Sequence, residues 1–178
     1  MQFSRYLSRS LLLAAALGVT GTAYSQTKTV KAIIPWDAVG HAFNVRPHTV
    51  MFQGSLKGVI YVETAEGQFN EGFVVCPITQ FVDLNAHTTS AQGYCEIVGD
   101  GGDVVYAEFQ CDGQVGSCDG VFDLKGGSGR FEGITGSSKL IVRSPIHAVM
   151  GEVASDSVIR VSSGLAILPD VTYTLPGK

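Results

Sequence analysis

One segment of the sequence brings together two tyrosines and two glutamates whose side chains could do acid–base chemistry. It reads GYCEIVGDGGDVVYAEFQC from Gly93 to Cys111, and the Gly-Asp-Gly-Gly turn in its middle predicts a hairpin. If Gly99 pairs with Asp103, each tyrosine faces a glutamate on the opposite strand. These four residues, called the tetrad below, are Tyr94, Glu96, Tyr106 and Glu108.

The chemistry of the tetrad depends on which face of the hairpin carries it. In a low-dielectric interior the pKa values of the two carboxyl groups would rise, which suits proton transfer or binding of a polar head group. On a solvated outer face the same cross-strand pairs would only add roughly a few tenths of a kcal/mol each. The opposite face carries Ile97, Val105 and Phe109, which make the better interior. The outer position is therefore favoured, and the tetrad is kept as a candidate ligand-binding set.

A glycine-rich run, GGSGRFEGITG, spans Gly126 to Gly136. Its spacing fails the dinucleotide fingerprint G-x-G-x-x-G, the phosphate loop ending in Gly-Lys-Ser/Thr, and the nucleophile elbow G-x-S-x-G. The run is therefore interpreted as a turn between strands, with Phe131 as its apolar anchor and with Arg130 and Glu132 facing solvent. The glycines that this turn needs are Gly126, Gly127, Gly129, Gly133 and Gly136.

The cysteines predict disulfides rather than a metal site. The four are Cys76, Cys95, Cys111 and Cys118. Three pairings are possible, and Cys76–Cys95 with Cys111–Cys118 is favoured because each pair closes a short loop rich in turn residues. There is no C-x-x-C motif and the four histidines are scattered, so the sequence predicts neither a metal nor another cofactor.

The first 25 residues have the layout of a secretory signal peptide. Arg5 and Arg9 precede nine apolar residues, Leu11 to Val19, and Ala23 and Ser25 have the small-residue spacing of a cleavage site. Nine residues cover about 14 Å as a helix, which is too short for a hydrocarbon core of about 30 Å. We therefore expect an exported protein, periplasmic or extracellular, with no membrane span.

The charge of the chain excludes one class of partner. Without Arg5 and Arg9, ten of the 12 basic residues remain against 16 acidic ones, a net charge of −6. No basic stripe or cluster interrupts this excess, so nucleic acid is not an expected partner.

The pattern after the signal peptide is that of an all-β protein. Glycine-rich turns recur about every ten residues, and apolar and polar residues alternate in TVMFQGSLKGVIYVE, Thr49 to Glu63. Residues 26–48, with Pro35, Trp36 and Pro47, are expected to form an irregular lead-in, and residues 49–178 a closed antiparallel barrel of eight strands. Besides that strand and the hairpin, strands are predicted at 70–75, 78–84, 120–125, 139–143, 158–161, and 164–168 with 171–175.

The glycine-rich run also carries a family resemblance. GGSGRFEGITGSSKL resembles the signature of the allene oxide cyclase-like barrels, a fold shared with the plant dirigent proteins. VGDGGDVVYAEFQC is similar in layout to a cyclase strand, and GVIYVE is similar more loosely. The resemblance covers about Val50 to Val142. It implies a calycin-like, eight-stranded antiparallel barrel with an apolar cavity, often assembled as a homo-trimer.

The chemistry of that family does not transfer residue by residue. The cyclases guide ring closure with Glu, Asn, Tyr, Pro and bound water in an apolar cavity. The strand before the run reads CDGVFDLK and lacks the cyclase Tyr, and no Cys lies near Val59. Three functions stay open: a non-catalytic binder of an apolar small molecule, a cyclase-like isomerase that acts by shape on an unsaturated substrate, and a dirigent-like oligomeric structural or interaction protein. The first is favoured.

Overall fold

The computed structural model describes residues 25–64, 67, 69–145 and 159–177. The predicted signal peptide lies outside this described part, apart from Ser25. Within the same ranges, no helix has the length and apolar character needed to cross a membrane.

Eight strands, each paired antiparallel with the next, form a closed barrel, as predicted. The first and last strands pair with each other and complete the circle. The strands are β1 (Gln26–Arg46), β2 (Thr49–Glu63), β3 (Phe69–Asp83), β4 (Thr88–Gly99), β5 (Val104–Gln114), β6 (Ser117–Gly127), β7 (Thr135–Arg143) and β8 (Ile159–Leu175). A single 3-10 turn, Gly129–Phe131, lies between β6 and β7.

Strand β1 corrects the prediction of an irregular lead-in over residues 26–48. Its 21 residues pair with both β2 and β8, so the barrel begins near residue 26 rather than 49. Two features of the sequence make this strand hard to predict. Its buried positions include Ala32, Ala38 and Gly40, which give little hydrophobic contrast with their neighbours. Pro35 argues against a strand, yet it occupies an exposed position opposite Leu165.

Two other strands are longer than predicted because each continues through a proline. β3 joins the predicted pieces on both sides of Pro77, which is exposed and faces Ser55 of β2. β8 joins the pieces on both sides of Pro169, and its register with β1 shifts by one residue there. Outward positions and bulges tolerate the missing proline N–H, so neither strand breaks.

The barrel interior contains both disulfides, in the favoured pairing. Cys76 of β3 is linked to Cys95 of β4, and Cys111 of β5 to Cys118 of β6. All four cysteines are buried and belong to the hydrophobic core. Strand parity permits both links, because the cysteines occupy inward positions of neighbouring strands.

Glycines inside the barrel make room for aromatic rings. Gly40 of β1 and Gly54 of β2 face each other in the register. A Cβ atom added to either glycine would lie 2.6 Å from Cζ of Phe52. The phenyl ring therefore occupies the space that two missing side chains leave free, and these positions require glycine for close packing.

Candidate functional site

The glycine-rich run forms a loop at one end of the barrel. It begins at the end of β6, includes the 3-10 turn, and leads into β7 at Thr135. Gly129 and Gly133 have φ angles of 61° and 72°, a conformation that glycine adopts without strain. Phe131 is half-buried and packs against the hydrophobic core. The loop therefore turns inward at Phe131 and covers part of the barrel end.

Asp103 fastens this loop to the hairpin between β4 and β5. Its Oδ1 accepts a hydrogen bond from the backbone N–H of Arg130 at 3.3 Å, and its Oδ2 lies 3.2 Å from Arg130 Nε. The backbone N–H of Ser128 donates to the Val104 carbonyl oxygen at 2.8 Å. A Cβ on Gly129 would collide with the Asp103 carboxylate, so the loop can approach this closely only with glycine there.

The sequence pattern missed this role of Asp103, and it placed Arg130 in solvent. Both residues are indeed partly exposed, but they form an ion pair between two loops. Their separation along the chain is 27 residues, so no local spacing could reveal the contact. Arg130 also stacks on its neighbour, with Cζ 4.9 Å from the ring centroid of Phe131. The guanidinium is thus held in place from two sides.

An apolar recess lies between this loop and the neighbouring strand ends. Its volume is about 370 Å³, and both Arg130 and Phe131 belong to its wall. Small-molecule sites in proteins typically span about 300–1,000 Å³, so the recess falls within that range. Six of its apolar wall residues are Ile60, Val62, Ile97, Leu124, Leu168 and Val171.

A few polar side chains line the recess as well. Asn70 and Glu71 of β3 contribute to its wall, as does Tyr173 of β8. Together with Arg130 they give a mostly apolar pocket with a small number of polar groups. That combination suits an apolar molecule whose polar end is oriented by the protein.

The recess and the central part of the barrel have different walls, which share Phe122. Phe122 is buried and lines both the recess and a central cavity of about 80 Å³. A further cavity of about 90 Å³ adjoins the central one towards the opposite barrel end. The family resemblance implied one apolar cavity, whereas the structure has a recess at one end of the barrel and two smaller, adjoining cavities beyond Phe122.

The tetrad lies on the outer surface of the barrel. Its pairing is as predicted, with Tyr94 opposite Glu108 and Glu96 opposite Tyr106. Tyr94 is 63% exposed and Tyr106 is 49% exposed, so the tetrad faces solvent rather than a low-dielectric interior. Glu108 instead lies 3.3 Å from Lys125 Nζ, and this hydrogen-bonded contact raises the pKa of Lys125. The favoured outer-face interpretation therefore agrees with the structure.

Within the residues that the structure describes, no three or more His, Cys, Asp or Glu side chains are grouped to hold a metal ion. All four cysteines, which could have been metal ligands, form disulfides. The chemistry available at the recess is therefore that of its apolar wall and its few polar side chains.

Comparison of the chain with family models, with curated proteins and with solved structures finds no match. The architecture itself defines the class: an eight-stranded antiparallel closed barrel with two internal disulfides and an apolar recess at one end. The resemblance to the allene oxide cyclase-like barrels stays a prediction beside it.

Proposed function

We propose that this protein binds an apolar small molecule in the recess and does so without catalysis. The observation that carries the proposal is the recess itself, with about 370 Å³ of space and predominantly aliphatic walls. Burial of an apolar molecule is favourable by about 25 cal/mol per Å² of surface removed from water. The Asp103–Arg130 ion pair supports the proposal because it fixes one wall before any ligand arrives, which lowers the ordering cost of binding.

The site of action in this proposal is outside the cytoplasm. Both disulfides support it, because such links persist in oxidising compartments such as the periplasm and the cell exterior. Residues 1–25 would then act as the signal peptide that directs export.

Filling the recess is expected to abolish binding of an apolar probe. N-phenyl-1-naphthylamine should bind the unmutated protein with increased fluorescence, and Val62→Trp should weaken binding at least about tenfold because the indole takes up recess volume. Val59→Trp is the matched control, since Val59 lies on the same strand but is absent from the recess wall. Equal loss in both variants, or an unmutated protein that does not bind the probe, would contradict the proposal.

The cyclase-like alternative has less support. Its proposed acid–base groups, Glu96 and Glu108, are exposed on the outer surface and are not part of the recess wall. A conversion assay with an unsaturated epoxide and the unmutated protein would test that alternative directly.

A second function, self-association, is favoured by three residues on the outside of the barrel. Phe43, Met51 and Phe81 occupy directly neighbouring positions on β1, β2 and β3, and form what we call the outer apolar row. Phe43 is 44% exposed and Phe81 is 37% exposed. Contiguous apolar surface of this kind is common where proteins associate. We infer that a second copy of this chain, in a homo-trimer or another homo-oligomer, covers the row.

Light scattering after size-exclusion chromatography should therefore give a mass above that of one chain. Phe81→Gln is expected to shift the protein towards the monomer, because a polar amide interrupts the apolar contact. Phe73→Gln is the control, since Phe73 is also exposed but lies opposite Val59, away from the row. A monomeric unmutated protein at all concentrations would refute this second function.

A further inference from the structure

Two adjoining cavities lie in the barrel half that faces away from the recess. Trp36 of β1 is the sole tryptophan of the chain. Its side chain lines both the central cavity and the adjoining cavity of about 90 Å³. The indole Nε1 atom is buried, and within the described residues it has no hydrogen-bond partner. Buried tryptophan N–H groups usually have one, because an unpaired buried donor costs free energy.

The position of this indole is fixed by the strands on both sides. Trp36 pairs with Gly58 of β2 and with Gly164 of β8, so both cross-strand neighbours lack a side chain. A Cβ on Gly164 would lie 2.5 Å from Cζ2 of the indole. The ring therefore packs directly against the β8 backbone.

The other polar side chains at the cavity of about 90 Å³ are Gln80, Thr89, Ser117, Ser144 and Ser162. Gln80 lines both cavities, and its Nε2–H donates to Thr89 Oγ1 at 2.8 Å. Thr89 Oγ1 in turn donates to the Phe81 carbonyl oxygen at 3.1 Å. The Gln80 amide thus keeps its oxygen as an acceptor. Within the described residues, the buried side-chain donor that lacks a partner is the Trp36 N–H.

We propose that Trp36 Nε1–H donates a hydrogen bond to the carbonyl oxygen of a small apolar molecule held in these two cavities. The remaining wall is largely aliphatic and includes Ile78 and Val142, which suits a hydrocarbon body. Cavities of about 80 and 90 Å³ limit the ligand to about one six-membered ring, since a dry cavity of about 150 Å³ binds benzene. Phe122 separates this carbonyl site from the recess, so it is independent of the function proposed there.

The indole N–H of Trp36 provides an NMR signal that is specific to this site. A protein labelled with ¹⁵N has one tryptophan indole N–H cross-peak, from Trp36. Titration with cyclohexanone should move that peak downfield and saturate. Methylenecyclohexane, which has the same shape without the oxygen, should bind at least about tenfold more weakly. Saturating the recess with N-phenyl-1-naphthylamine should leave the cyclohexanone titration unchanged.

A Trp36→Phe variant removes the donor and keeps an aromatic ring. The preference for cyclohexanone over methylenecyclohexane, followed through the methyl resonances of Ile78, should then fall at least about tenfold. The proposal is overturned if cyclohexanone leaves the indole peak of the folded, unmutated protein in place, as it would if a bound water kept the N–H. It is also overturned if Trp36→Phe retains the preference, or if the recess probe competes with cyclohexanone.

Discussion

A Cys76→Ala/Cys95→Ala variant is expected to lose about 3 kcal/mol of unfolding free energy relative to the oxidised protein. The two cysteines are 19 residues apart, so their link removes a sizeable loop-closure entropy from the unfolded chain. Alanine is the suitable replacement because both positions are buried in the core, where a serine hydroxyl would need a partner. Urea denaturation followed by circular dichroism measures the change as a lower midpoint, with a steeper slope because the unfolded chain is less compact without the link.

The second disulfide provides the matched comparison. Cys111 and Cys118 are only seven residues apart, so Cys111→Ala/Cys118→Ala should cost about 1 kcal/mol less than the first pair under the same entropy model. If removing Cys76–Cys95 leaves the midpoint unchanged, the link does not constrain the unfolded chain as argued. If the shorter link proves the more important, packing inside the barrel outweighs loop entropy.

Phe122→Ala is expected to lower the unfolding free energy by about 3–5 kcal/mol. Phe122 is 3% exposed and lies opposite Phe109 in the register of β5 and β6. Loss of its ring leaves a cavity between the central cavity and the recess, so the surrounding strands lose contacts on two sides. Thermal or urea denaturation measures the effect.

The control for this substitution is a phenylalanine on another strand of the barrel. Phe73 is 51% exposed on the outer surface, so Phe73→Ala should change the unfolding free energy by only about 0.5 kcal/mol or less. Similar losses in both variants would show that Phe122 is not the packed partition that separates the two spaces. A Phe122→Leu variant should recover part of the loss because it refills some of the volume.

Some elements could be predicted from the sequence because residues close together in the chain determine them. The hairpin register followed from its turn, and the structure has the expected bond from the Gly99 N–H to the Asp103 carbonyl oxygen at 2.9 Å. β2 was readable because large apolar residues alternate with polar ones from Thr49 to Glu63. The disulfide pairing was readable because each pair is close in sequence and lies on adjacent strands.

Other elements are set by contacts that no local window contains. β1 is a strand because β2 and β8 pair with it on both sides, although Ala38 and Gly40 give only a weak pattern. Pro77 and Pro169 look like strand ends until their positions in the register are known. In each case tertiary pairing overrides local propensity.

The recess and the carbonyl site are the features hardest to predict from the sequence, because they also depend on contacts between residues far apart in the chain. The recess needs inward residues from several strands and an ion pair between Asp103 and Arg130. The buried indole of Trp36 belongs to a segment whose sequence predicts no strand at all. Periodicity reveals which side chains point inward, but only the closed barrel determines where space remains between them.

The barrel can close only after β8 has been synthesised, because β8 is the strand that pairs with β1. The pairs run from Gln26–Leu175 to His41–Ile159, so they join the two ends of the domain. Until residues 159–175 have been made, β1 and β7 each present a strand edge with unpaired N–H and C=O groups. Such long-range pairing is slow, on the order of milliseconds to seconds. A chain whose synthesis is incomplete therefore exposes two unpaired strand edges that can pair with other chains and aggregate. A partner that keeps the chain unfolded until β8 has been made would protect it from aggregation.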